Sequence, residues 1–264
     1  MALSETLEGG AGSRFVQNVV FMRHGDRIDN FEPLWLPNAA RPWDPPLTDA
    51  GKIRAWCTGK RIRREGFPIH RVFVSPFLRC VQTAAEAVAA FCAINDDPAE
   101  ITSEKAVIDP SRVKVSIEYG LCEIMSREAR IEAPPKDGKW FIDISEIEAI
   151  IPAGTMDRSV EPIYHEPPKW EEDVNAARQR YKDVVIALAN KYPGENLLLV
   201  SHGEGVGVSV SSFKRGTLVY EVEYCAYSHL QRSITRVPGQ QATVEEFQVV
   251  TKNGRTGVQF MSQE

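Results

Sequence analysis

Three short apolar runs constrain this chain more than any other feature: residues 19–22 (VVFM), 71–75 (RVFVS) and 196–200 (NLLLV). Each is too short for a core helix, and none alternates with polar residues, so each reads as a strand buried on both faces. Between them the period changes to that of helices. Residues 47–66 open on Thr48 as an N-cap and stop at Gly66, with a basic side expected to face solvent. In residues 76–92, Leu78, Val81, Ala85, Val88 and Cys92 share a face, with Pro76 suited to the first helical position. From about residue 170 to 190, Val174, Ala177, Tyr181, Val184 and Leu188 keep helical register up to Pro193 and Gly194. Strands alternating with helices imply an α/β fold, a three-layer α/β/α sandwich around a mostly parallel sheet. Residues 113–117 offer another strand, and residues 220–250, around Val222, Tyr224, Ile234, Phe247 and Val249, supply further strands and an edge.

The residues just beyond these strands carry the chemistry. The first strand runs directly into Arg23, His24, Gly25, Asp26 and Arg27. A turn at the carboxyl end of a parallel strand is where open α/β sheets bind ligands. Two guanidinium forks beside one imidazole suit the oxygens of a phosphate or carboxylate. Their charge disfavours imidazolium, which biases His24 to the neutral form that can act as a nucleophile. The second strand leads into a helix with Arg79 in its opening turn, a second arrangement that favours anions. The run at 196–200 ends in Ser201, His202 and Gly203, so two strand-end histidines stand ready to share one crevice if their strands are neighbours.

At 264 residues the chain is long enough for one sizeable core, and its net charge of -5 argues against a nucleic-acid binder. Five scattered cysteines without a C-x-x-C pair fit a reducing compartment and offer no zinc spacing. Residues 1–13 read as a flexible polar leader without the character of a secretory signal, and no apolar run approaches a membrane span. These features place the expected protein in the cytoplasm, or also the nucleus, away from membranes. Residues 14–264 are expected to form one domain carrying two insertions. One, at about 29–46, is rich in proline and aromatic residues and so unsuited to regular helix or central strand. The other, at about 126–169, is irregular and acidic.

The ordered set Arg23-His24-Gly25, SPFLRCVQTA (residues 75–84) and LVSHG (residues 199–203) resembles the three signatures of the histidine phosphatase superfamily, with its phosphoglycerate mutase-like fold. The likeness runs from about residue 15 to 250. It is nearest to the branch containing the suppressor of T-cell receptor signalling phosphatases and related plant and fungal phosphoglycerate-mutase-family proteins. In the acid phosphatase branch a His-Asp pair closes the site, whereas here His202 is followed by Gly203.

The resemblance implies a metal-independent phosphomonoester hydrolase that needs no cofactor. His24 would attack phosphorus and carry the phosphoryl group. Arg23, Arg27 and Arg79 would bind its oxygens, and His202 would add a hydrogen bond. For the proton donor it points to Glu123, which needs a raised pKa for that role, with Glu118 and Glu128 nearby as alternatives. The implied substrate is a phosphorylated small molecule or a phosphoprotein, and a homodimer formed through an edge strand is an expectation of the likeness alone.

Other readings compete. Cys57 and Arg63 fit the C-x5-R spacing of a cysteine-dependent phosphatase loop, but inside an expected helix. Gly203, Gly205 and Gly207 imitate a dinucleotide loop, except that Val208 stands where the third glycine belongs. A catalytically weak phosphate-binding or protein-interaction module of the same fold is the main alternative function, and a mutase-type phosphotransferase the third. Trp35, Trp43 and Trp170 are candidates for an apolar entrance or for core.

Overall fold

The structure is a computed structural model that describes residues 13–127 and 135–262. In chain order its elements are β1 (Ser13–Arg23), α1 (Trp35–Asn38), α2 (Asp49–Arg63), β2 (Arg71–Val74), α3 (Leu78–Cys92), β3 (Lys114–Ile117), α4 (Ile144–Ile150), α5 (Val174–Lys191), β4 (Leu197–Ser201), α6 (Gly203–Ser211), β5 (Thr217–Val222), β6 (Tyr227–Arg236), β7 (Thr243–Val244), β8 (Gln248–Val249) and β9 (Val258–Ser262). The main sheet runs β3-β2-β4-β1-β6-β7, with β8 also on β6, while β5 and β9 form a separate ribbon. Strands β3, β2, β4 and β1 are parallel, and the sheet turns antiparallel from β6 outward.

Alternation along β1 explains the three layers. Val20 and Met22 join Val72, Val74, Leu198 and Val200 on the face covered by α2, α3 and α4. Val19 and Phe21 join Phe73, Leu197 and Leu199 on the face covered by α5 and α6. Successive side chains of a strand point to opposite faces, so apolar runs of four or five residues fill both cores at once.

Several boundaries differ from the sequence reading. Strand β1 begins at Ser13, six residues before the expected stretch, because β6 pairs with it as far as Ser13↔Arg236. Helix α3 starts at Leu78 rather than Pro76, since Phe77 is extended with ψ 134°. Asp173, which accepts from the backbone N–H groups of Asn175 and Ala176, starts α5 at Val174. The proline-rich segment holds one helical turn, α1, whose Pro37 falls where backbone N–H groups have no partner within the helix. On α2 the basic side is not wholly solvated. Lys60 is buried, with its ammonium group on the carbonyls of Asp97 and Glu100.

Of the expected leader, residues 1–12 lie outside the described residues, as do residues 128–134 of the second insertion, Glu128 among them. Its described part contains α4, opened by a capping box between Asp143 and Glu146. Among the described residues no helix is long and apolar enough to cross a membrane.

Candidate active site

The four parallel strands end at one edge of the sheet, and each delivers part of one cluster. Strand β4 lies between β1 and β2, pairing Arg23 with Ser201 and Val74 with Val200. His24, just past β1, therefore stands beside His202, just past β4; their ring centroids are 5.4 Å apart. The segment after β2 brings Arg79, and the segment after β3 brings Glu123.

His24 is held from several directions. Its backbone N–H donates to the Ser201 carbonyl at 2.9 Å, and its carbonyl accepts from Cys225 at 3.1 Å. The next N–H, of Gly25, donates to Thr83 Oγ1 at 2.9 Å, and that hydroxyl donates to the Arg79 carbonyl at 2.7 Å, tying the turn to α3. In the ring, Nδ1 lies 2.8 Å from the Gly25 carbonyl oxygen. A carbonyl only accepts, so Nδ1 carries the hydrogen and Nε2 keeps its lone pair. Burial, with help from Arg79, His202 and Arg23, holds His24 well below the usual histidine range, so the ring is neutral.

Arg79 is 1% exposed. Its guanidinium stacks on the Phe77 ring at 4.4 Å, with Nη2 3.4 Å from Glu123 Oε2 and Nη1 3.6 Å from Asp44 Oδ1. Arg23 packs over the Tyr224 ring at 4.2 Å and donates through Nη1 to the Val222 carbonyl. Nε of Arg23 and both Nε and Nη1 of Arg79 are buried without a hydrogen-bond partner in the protein. Buried donors left unpaired are costly, which suits this cluster to receive anionic oxygens. Arg27 contributes charge but is itself clamped by Asp29, at 3.0 Å through Nε and 2.6 Å through Nη2.

Glu123 and Glu118 separate cleanly. The Glu118 carboxylate accepts from the N–H groups of Gly120, Ile163 and Tyr164 at 2.9, 2.6 and 3.0 Å, so its lone pairs are spent on backbone. Glu123 faces the cluster, with Oε2 3.0 Å from His202 Nδ1. Its backbone approach is fixed by Arg180 and Tyr181, which donate to the carbonyl of Cys122, and by Ser201, which donates to that of Leu121.

Burial pushes the Glu123 carboxyl up, but His202 and Arg79 outweigh it and hold it at about 2. This runs against the raised pKa expected of a proton donor. The reason is that the free site surrounds the group with positive charge. Burial lowers His202 to about 4 despite Glu123, leaving a neutral ring against a carboxylate at neutral pH. With Nδ1–H directed at Glu123, His202 Nε2 accepts from Ser75 Oγ at 3.1 Å, so neither ring nitrogen is left to give a phosphate the hydrogen bond expected of His202.

His24, Glu123 and His202 offer ligand atoms within 4.8 Å of one another. Two imidazoles and a carboxylate can hold zinc. Here Arg23 and Arg79 act on His24, and Arg79 and Arg27 on Glu123, so a dication would meet three guanidiniums in the same space. The arrangement favours an anion.

Two site residues escape the sequence reading. Asp44 lies in the proline-rich segment, where no period or motif marks it. Tyr224, expected within a strand, sits instead in the turn between β5 and β6, its ring 5.8 Å from His24. The next residue, Cys225, adopts a left-handed φ of 55°, a strained conformation that places this turn against the site. The rival motifs are structural. Cys57 and Arg63 lie within α2, where Arg63 donates to the carbonyls of Ala90 and Ala93. Gly205 lies within α6, where a Cβ would sit 2.8 Å from the Phe21 ring. Trp43 donates to the Trp140 carbonyl and Trp170 stacks on Trp140, both packed against the core.

The family profile described as histidine phosphatase superfamily (branch 1) matches residues 19–101. The chain is 22% identical over 251 residues to ecdysteroid-phosphate phosphatase of Drosophila melanogaster, covering 82% of this chain and 30% of that protein. It is 25% identical over 217 residues to ubiquitin-associated and SH3 domain-containing protein A of Homo sapiens, covering 71% of this chain and 29% of that protein. The chain thus spans about three-tenths of the length of these curated relatives. Among solved structures, the ecdysone phosphate phosphatase from Bombix mori in complex with tungstate matches with a TM-score of 0.62 at 22% identity, covering 89% of this chain and 92% of that one.

Proposed function

Because this chain belongs to the histidine phosphatase superfamily, we propose that it is a metal-independent phosphomonoester hydrolase working through a phosphohistidine on His24. One observation carries the reading: a neutral imidazole, its Nδ1–H fixed on the Gly25 carbonyl, presents a free Nε2 among buried guanidinium donors that have no protein partner. Such a group can attack phosphorus while the donors take up charge on the non-bridging oxygens.

The reaction divides into two displacements. His24 Nε2 forms a bond to phosphorus as the ester P–O bond breaks, and Glu123 gives a proton to the leaving oxygen. Water then attacks the phosphoryl group, Glu123 takes the proton back, and the P–N bond breaks. Glu123 is a carboxylate in the free site, but a phosphate ester brings negative charge beside it and raises its proton affinity, so the proton arrives with the substrate. Arg23, Arg79 and Arg27 neutralise the phosphate, and His202 orients Glu123.

The name of the Drosophila relative supports a phosphate ester as substrate. The test is hydrolysis of p-nitrophenyl phosphate in EDTA by wild type and His24→Ala. Turnover that resists EDTA and disappears with His24 is the expected result. Turnover that requires a divalent metal, or survives His24→Ala, overturns the mechanism.

A further inference from the structure

Asp44 comes from the long segment between β1 and α2, yet its side chain is wholly buried beside the phosphate-binding cluster. Its Oδ1 accepts from the Leu78 N–H at 2.8 Å, capping the first turn of α3, a helix whose own N-cap residue, Phe77, has no side-chain acceptor. The same oxygen lies 3.6 Å from Arg79 Nη1, while Oδ2 accepts from Arg41 Nη2 at 3.2 Å. On its far side the Arg79 guanidinium meets Glu123 at Nη2, and its face lies on Phe77. Phe77 therefore fixes the plane of the guanidinium, and the two carboxylates at opposite nitrogens fix its rotation within that plane. At 3.6 Å the Asp44 contact is one of charge and not a hydrogen bond, so Arg79 Nη1 keeps a donor for an oxyanion.

We propose that Asp44 is a positioning residue for phosphoryl transfer, acting through Arg79 by holding its guanidinium in the orientation that binds the phosphoryl oxygens. The inference rests on the reading of the cluster as a phosphate site. It differs from a purely structural cap in what the negative charge does. An asparagine at this position still accepts from the Leu78 N–H, so it keeps α3 capped, but it no longer draws Arg79 to its place. It differs also from a through-space charge effect. Removing an anion near a cationic site would tighten oxyanion binding, whereas releasing Arg79 from its orientation weakens it.

The experiment measures p-nitrophenyl phosphate turnover, orthovanadate affinity by calorimetry, and thermal melting for wild type, Asp44→Asn, Arg79→Lys and the double variant. The expected result is an Asp44→Asn protein that melts like wild type, with kcat/KM and orthovanadate affinity each lower by about 10- to 100-fold, the scale of loss when a residue that orients a metal ligand is removed. In the Arg79→Lys background, Asn at 44 adds little further loss. Wild-type activity and affinity in Asp44→Asn, tighter vanadate binding, or a loss that multiplies fully with that of Arg79→Lys would overturn the proposal. If wild type binds orthovanadate but hydrolyses nothing, the hydrolase reading fails while the affinities still decide the role of Asp44. Wild type that binds no oxyanion overturns both.

Discussion

His202 turns its Nδ1 toward Glu123 Oε2 across 3.0 Å, and at neutral pH that contact joins a neutral imidazole to a carboxylate. The ring donates, the carboxylate accepts, and Arg79 closes on the same oxygen from 3.4 Å. A group held so firmly as an anion can act as an acid only once a bound phosphate offsets the surrounding positive charge. On the proposed mechanism, Glu123 therefore stays charged in the resting site and gains its proton with the substrate.

This dependence predicts a leaving-group effect. Glu123→Gln cannot protonate a departing oxygen, so hydrolysis of an alkyl ester such as glycerol 2-phosphate falls by about 10²- to 10⁴-fold. Hydrolysis of p-nitrophenyl phosphate, whose leaving group departs readily as an anion, falls much less. Comparing the two substrates on the variant and wild type checks the assignment; equal losses on both would remove Glu123 from the acid role.

The buried histidines predict how stability responds to pH. His24 lies well below the usual histidine range and His202 at about 4, both mainly through burial, so between pH 6.5 and about 4 the unfolded chain binds more protons than the folded one. Stability is complete above pH 6.5 and declines as pH falls through that window. Glu123, held at about 2, adds a further loss only below the ordinary glutamate range, near pH 4.5. Melting temperatures of wild type should drop from pH 7 to pH 4.5, and His24→Gln should flatten the slope. An unchanged slope in that variant would contradict the assignment of His24 as buried and neutral.

The turn after β1 predicts a steric result. A Cβ on Gly25 would stand 2.7 Å from the Gly51 carbonyl oxygen and 3.2 Å from its carbon, backbone atoms at the start of α2 that cannot swing aside. Gly25→Ala should lose about 1–3 kcal/mol in urea denaturation and displace His24 from its hydrogen bonds. Gly207→Ala is the control, because there a Cβ meets nothing closer than Val219 at 3.8 Å within helix α6. It should gain about 0.5–1 kcal/mol from helix propensity.

The pattern of legibility reflects these contacts. His24, Arg23, Arg79 and His202 are readable because each sits at or just beyond the end of a short apolar strand, and motif and strand end together mark a ligand edge. Their meeting depends on β4 lying between β1 and β2, a pairing across 178 residues (202 minus 24) that no local pattern encodes. Asp44 is illegible for a different reason. Its importance comes from capping and pairing with a helix more than 30 residues away, and a proline-rich segment has no period to betray a buried position. The resemblance favours Glu123 without excluding Glu118, and the structure separates them: Glu118 is spent on the backbone N–H groups of Gly120, Ile163 and Tyr164, while Glu123 meets His202. Tyr224 reads as a strand residue until the turn before β6 places its ring over Arg23.

The central claim is that phosphate passes through His24 Nε2, and trapping that bond tests it most directly. Wild type is mixed with ³²P-labelled p-nitrophenyl phosphate in EDTA, quenched on the millisecond scale in alkali, and digested for peptide mapping. The account predicts a label that is stable to base, lost in acid, confined to the peptide carrying His24, and missing from His24→Ala. Turnover with a label on another residue, or on a peptide of the His24→Ala protein, would contradict it.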